Sequence, residues 1–170
     1  LIVWMLSSTA IADERKAVFD LTTGDSERIE TRIISSIKAL SKHYEKQGDQ
    51  LKAVVVISGT AYKYFIEDLP NSPYRDDEAV ARVQNTLKAG FKELHEQYGV
   101  RFDMCGQGMK MRNIKKETLY PFVNTDKSKY VYLIDWQNEG YAYIPIWKTL
   151  LVDLHWTVWN FRKLPKLSLI

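Results

Sequence analysis

The sequence predicts an α/β fold: a three-layer α/β/α sandwich around a mainly parallel sheet of about five strands. Three observations predict it. Short apolar runs alternate in order with segments whose apolar residues recur every three or four positions. One run, Leu51 to Ile57, is almost continuously apolar, as expected of a strand covered on both faces. The 170 residues are 45% hydrophobic and 12% aromatic with only 8 Gly and 5 Pro, enough for one domain with a proper core.

The elements follow in order. Lys16 to Thr22 reads as a first strand, stopped by Thr23-Gly24-Asp25-Ser26, where Asp25 or Ser26 can cap a helix. That helix carries Ile29, Ile33, Ile37, Leu40 and Tyr44 on one stripe and ends at Gly48. After the strand Leu51 to Ile57, Ser58-Gly59-Thr60 turns into a short helix with Tyr62, Phe65 and Ile66. A polar loop from Pro70 leads to Asp76 or Asp77, either of which can cap a long helix. Its stripe is Val80, Val83, Leu87, Phe91, Leu94 and Tyr98, and Gly99 is a natural C-cap. Val100, Phe102 and Met104 alternate, which reads as a strand. A helix with Met109, Ile114 and Leu119 is predicted next, closed by Pro121. Phe122-Val123 is a short strand, residues 125 to 139 a final helix, and Tyr141 to Pro145 a last strand. Tyr141 and Tyr143 would share one face of that edge strand and could line an oligomer interface.

In open parallel sheets, function gathers at the carboxyl ends of strands. Two segments fall there. Ser58-Gly59-Thr60 could offer backbone N–H groups to an anion, and Cys105, the only cysteine, is followed by Gly106-Gln107-Gly108 at a strand-to-helix turn. A thiol beside unpaired N–H groups is favoured as thiolate, the form that attacks sulfur. Gly106 and Gly108 would let a substrate approach closely, or serve simply as turn residues. Met109 and Met111 read as packing residues. Lys110, Arg112, Lys115 and Lys116 read as a solvated helix face, with anion steering as the alternative.

Charge and composition exclude several classes. The net charge of +3 resides wholly in residues 148 to 170, so the body is neutral and lacks the clustered basic face of a nucleic-acid binder. His43, His95 and His155 form no local ligand motif, and one cysteine argues against a Cys/His zinc site, so no metal is expected. No Walker-type loop, dinucleotide glycine fingerprint or Gly-x-Ser-x-Gly elbow is present, and no cofactor is expected.

The two ends differ from the body. Residues 1 to 12 are apolar, then small, ending Ala10-Ile11-Ala12 before Asp13-Glu14-Arg15-Lys16, and read as the remnant of a signal peptide. That reading makes the mature protein periplasmic or secreted; a buried N-terminal segment in a cytoplasmic protein is the alternative. Residues 147 to 170 hold three of the five Trp and form a basic tail. The tail fits a helix at a membrane surface, a helix packed on the domain or a neighbouring subunit, or a mis-called C-terminus.

The Tyr98-Gly99-Val100 to Cys105 stretch, Met111-Arg-Asn-Ile114, and Leu133-Ile-Asp-Trp-Gln137-Asn-Glu-Gly140-Tyr-Ala-Tyr143 together resemble the DsrE/DsrF-like family, over about residues 16 to 145. The preceding apolar segment suggests its exported branch. The resemblance implies a compact α/β/α domain over residues 13 to 146 that assembles as a homo-oligomer, a trimer or hexamer. In sulfur-relay relatives of the TusD type, the cysteine on the position of Cys105 accepts persulfide sulfur and passes it on. The implied partners are a sulfur donor or acceptor, protein or small compound. The implied activity is that of a sulfurtransferase or sulfur carrier; the strand-end and turn positions, rather than the resemblance, nominate Ser58, Gly59, Gly106, Gln107 and Gly108 as its substrate-binding residues. Relatives often carry His-Gly after the second strand; Ser58-Gly59 stands here instead and removes a possible general base. The alternative is a non-catalytic oligomeric binding or assembly module in which Cys105 is structural.

Overall fold

The computed structural model describes residues 13–147. Its centre is a five-stranded sheet in the order β4-β3-β2-β1-β5, parallel throughout, formed by β1 (Glu14–Leu21), β2 (Gln50–Ile57), β3 (Arg101–Met104), β4 (Val123–Asn124) and β5 (Ala142–Ile146). The register aligns Phe19, Val55 and Phe102 across the three central strands, and Asp20, Val56 and Asp103 in the next row. Because strand side chains alternate, the two rows point to opposite faces.

The Phe19 face carries the larger core. Between β1 and β2 runs one continuous helix, α1 (Ser26–Ile29) and α2 (Ser36–Glu45) joined by a π-helical stretch (Glu30–Ser35). Asp25 caps its start by accepting from the Arg28 N–H. The long helix α3 (Glu78–Tyr98) is capped by Asp77, and Gly99 closes it in the left-handed region at φ 64°. Ile29, Ile33 and Ile37 meet Val80, Leu87, Phe91 and Leu94 over Phe19, Val55 and Phe102 in one buried cluster. Gly90 permits the close helix crossing, since a Cβ there would lie 2.5 Å from Ile34 Cδ1.

Among the described residues, the opposite face is covered by α5 (Lys129–Asn138), which packs Tyr132 and Leu133 on Val18, Val54 and Val56. The sheet and both helical layers therefore match the predicted α/β/α architecture.

One predicted element is corrected. The helix expected to run from Met109 to Leu119 stops early: α4 spans Gly106–Met111, Asn113 turns left-handed at φ 54°, and a single 3-10 turn follows at Lys116–Thr118. The stop lets Leu119 bridge to Ile66 and Tyr120 bond back to Phe65, burying both Leu119 and Tyr120. With the helix ended, Met111 projects into solvent, contrary to its predicted packing role, while Met109 is buried as expected. The segment after Thr60 is a 3-10 helix (Ala61–Phe65). No helix among the described residues is long and apolar enough to cross a membrane. Residues 1–12 and 148–170, to which the leader and most of the tail reading belong, lie outside the described residues.

Candidate functional site at the Cys105 turn

Cys105 follows β3 directly and is the N-cap of α4. Its N–H donates to the Ile57 carbonyl (3.0 Å) and its carbonyl accepts from Met109 (3.1 Å), so the residue is fixed from both sides. The residue as a whole retains 8% exposure. Burial alone pushes a thiol up, because the anion loses its water. Here the N–H groups of Gly108 and Lys129, the Tyr62 hydroxyl and the Gln107 N–H outweigh burial and hold Cys105 below its ordinary thiol value.

The flanking glycines make this geometry possible. A Cβ on Gly108 would lie 1.9 Å from the Tyr62 hydroxyl, so only glycine lets Tyr62 reach over α4 to the cysteine. There the hydroxyl donates to the Cys105 carbonyl (3.1 Å). A Cβ on Gly106 would lie 2.3 Å from the Thr125 carbonyl, while the Gly106 N–H donates to Lys127 (3.0 Å). Gly106 thus seats residues 125–127, just before α5, against the turn that carries Cys105. Close approach is the role of both glycines, but the approaching group is the protein itself. Gln107 is exposed at the mouth. Arg112, read from sequence as a surface cation, bonds the Gly108 carbonyl (3.1 Å) and lies 4.7 Å over the Tyr62 ring.

Ser58 and Gly59 occupy the neighbouring strand end on the same rim, one residue after the carbonyl that holds Cys105. Gly59 has φ +65°, and its Cβ position lies 2.4 Å from the Thr22 carbonyl. The N–H groups of Ser58, Thr60 and Ala61 donate to Leu21, Thr22 and Ser58 respectively. This turn therefore ties β2 to β1, with those donors already engaged.

Sequence reasoning missed four contributors. Tyr62 reads as core because it stands at apolar spacing. Lys129 contributes its backbone N–H, which has no residue-type signature, and its ammonium pairs with Asp20 at 2.9 Å. Asp20 is buried in β1 and also accepts from the Tyr143 hydroxyl (2.9 Å). Burial, then the bond to Asp20 and its charge, push Tyr143 up to about 12. A detectable signal existed in the repeated Phe19-Asp20-Leu21 and Phe102-Asp103-Met104, which put one carboxylate on the same face of two strands. His95 is structural: its Nδ1 bonds the Val100 carbonyl (3.1 Å) and its ring stacks on Phe122. Among the described residues, no group of three or more His, Cys, Asp or Glu is placed to hold a metal.

Residues 16–146 match the model of the DsrE/DsrF-like family. The chain belongs to that family. An uncharacterized protein of Aquifex aeolicus (strain VF5) is 32% identical over 134 residues, which make up 79% of this chain and 57% of the relative. This chain thus spans little more than half the length of that relative. Among solved structures, a protein of unknown function from Methanobacterium thermoautotrophicum shares the fold with a TM-score of 0.56 at 22% identity, over 77% of this chain and 98% of the other. The DsrE/DsrF-like domain is thus the frame on which Cys105, Tyr62 and the start of α5 are brought together.

Proposed function

We propose that this DsrE/DsrF-like chain carries sulfane sulfur as a persulfide on Cys105. The observation that carries the reading is the place of Cys105, at the carboxyl end of β3 as the N-cap of α4, with the thiol held below its ordinary value in spite of burial. Donors placed in advance stabilise the thiolate that must attack, and the same donors can hold the charge of a persulfide. Loading forms a bond from the Cys105 sulfur to a sulfane sulfur and breaks the donor's sulfur–sulfur bond, whose electron pair leaves with the donor. Unloading is the reverse in kind: an acceptor thiolate attacks the outer sulfur and Cys105 departs as thiolate. Neither step changes the overall oxidation level or calls for a bound cofactor.

Two further parts belong to the same proposal. The apolar run ending Ala10-Ile11-Ala12 supports export, which would place the chain in the periplasm or outside the cell. The outward side of α5 exposes Tyr130, Val131 and Ile134, which supports a homo-oligomer joined through that helix. The first test is intact-mass analysis of the full chain after exposure to polysulfide, beside Cys105→Ser. A reducible gain of about 32 Da on the parent alone is expected for one added sulfur. No adduct, together with slow alkylation of the folded thiol, would leave Cys105 as a structural residue of an assembly module.

A further inference from the structure

We propose that the cleft between the C-terminal half of α3 and the Tyr120-Pro121-Phe122 segment is a second ligand site. Its ligand is a small, neutral, planar aromatic molecule that carries a hydrogen-bond acceptor. The inference stands whether or not Cys105 reacts. Tyr120 to Phe122 lead into the amino end of β4, whereas Cys105 leaves the carboxyl end of β3, and the two strands run parallel. The cleft and the cysteine therefore lie at opposite ends of this strand pair.

The cleft encloses about 470 Å³, within the range of roughly 300–1,000 Å³ usual for small-molecule sites. Its apolar wall consists of three nearly parallel rings. Tyr120 stacks on Phe122 with centroids 5.5 Å apart and planes at 18°, and His95 stacks on Phe122 at 5.0 Å and 21°. Each ring is held in place by the fold. Phe122 packs on the core residue Phe102 at 5.5 Å, the His95 Nδ1 bonds the Val100 carbonyl (3.1 Å), and the Tyr120 N–H donates to the Phe65 carbonyl (3.2 Å). The wall is thus formed before a ligand arrives, and a flat ring can stack on it in the offset geometry that aromatic pairs prefer.

The Tyr120 hydroxyl is a second, independent observation. Tyr120 is 1% exposed, and its hydroxyl is buried with no hydrogen-bond partner among the described residues. Leaving a buried hydroxyl unpaired is costly, and native structures keep few such groups. Burial, and after it the charge of Glu67, push the Tyr120 phenol up, so it stays protonated and has a proton to donate. An acceptor on the ligand satisfies it. The rim sets the charge of that ligand. Lys88 pairs with Glu67 at 2.7 Å and Lys92 with Glu96 at 3.8 Å, so the four side chains balance and favour neither an anion nor a cation. Lys88 Nζ also lies 5.7 Å from the centroid of the Tyr120 ring, which makes the Lys88–Glu67 pair a cover over the tyrosine. Both partners are exposed, and an exposed pair contributes little, so a ligand ring can displace Lys88 at small cost.

The experiment measures the affinity of the full chain for three probes by ligand-observed NMR. Quinoline has two fused rings and an acceptor nitrogen, naphthalene has the rings alone, and quinoline-2-carboxylate adds a negative charge. The parent is compared with Tyr120→Phe and Phe122→Leu, each checked by thermal melting. The folded parent is expected to prefer quinoline to both other probes. Tyr120→Phe, which removes only an unpaired hydroxyl, should melt no lower than the parent, weaken quinoline about three- to tenfold and leave naphthalene unchanged. Phe122→Leu should weaken quinoline and naphthalene alike, again about three- to tenfold. No binding of quinoline by the parent, or unchanged affinities in folded Phe122→Leu, overturns the site. Quinoline held equally by parent and Tyr120→Phe, or a clear drop in melting in Tyr120→Phe, overturns the part given to the hydroxyl. Tighter binding of the carboxylate than of quinoline overturns the neutral ligand.

Discussion

At the scale of single residues, the site depends on what is missing from Gly108. Gly108→Ala must displace the Tyr62 ring, because the new methyl would overlap the hydroxyl and Cζ, at 1.9 and 2.7 Å. Crowding of this kind typically destabilises by about 1–3 kcal/mol. It would also slow Cys105 alkylation at neutral pH, which separates it from simple loss of stability. Tyr62→Phe is the gentler version. It removes the donor to Cys105 while keeping the ring beneath Arg112, with an expected loss of about 0.5–1.5 kcal/mol and an alkylation midpoint moved upward. The pH dependence has a fixed sign. Folding holds the Cys105 thiol below its ordinary value, so its contribution to stability is present above the unfolded value and fades as pH falls through the folded one. Urea titrations of the parent and Cys105→Ser at several pH values should show their difference shrinking toward acid, and a difference independent of pH would contradict the lowered thiol. The place of Cys105 at a strand-to-helix turn was legible in the sequence, as the lone cysteine after an alternating run and before two glycines. Tyr62 was not, because an aromatic at helical spacing looks the same whether it only fills a core or also donates to the cysteine's carbonyl.

At the scale of elements, two carboxylates buried in the sheet anchor α5. Asp20 holds Lys129 at the start of the helix, and Asp103 accepts from Trp136 Nε1 (2.9 Å) near its end. Asp103 has no exposed surface and also accepts from Arg101 (2.8 Å) and Asn124 (3.1 Å). Trp136→Phe keeps an aromatic ring in place but leaves Asp103 Oδ2 without its donor, so destabilisation of about 1–3 kcal/mol is expected. The measurement is a denaturant midpoint, and an unchanged midpoint would mean that water replaces the indole. The strands and the long helices could be read from periodicity, because α3 and the helix between β1 and β2 present unbroken stripes to one core. The end of α4 could not. Met109, Ile114 and Leu119 keep a nearly helical spacing, yet Asn113 leaves the helix so that Leu119 and Tyr120 can pair with the segment after β2. Tertiary pairing overrode the apolar spacing there, and Asn113, a residue type that tolerates the left-handed region, is the one local sign of the stop.

At the scale of the whole molecule, the two faces of the sheet are unequally protected. Among the described residues, the Phe19 face lies under two long helices, whereas a single ten-residue helix covers the other. That helix is apolar on its outer side as well: Tyr130, Val131 and Ile134 are 73%, 43% and 57% exposed, and 130/134 and 131/134 are one helical turn apart. A polar outer surface would be expected if α5 faced only water. The homo-oligomer proposed above would bury this side. A charge introduced at the centre of the patch should therefore separate the copies without disturbing the core, since Ile134 is absent from both buried clusters. Ile134→Glu is expected to convert a sedimenting oligomer to a species of about one chain mass, with thermal melting at low protein concentration little changed. If the parent already sediments as a single chain, or the variant keeps the parent's mass, then α5 is not the joint between copies, and its apolar side must be explained without self-association.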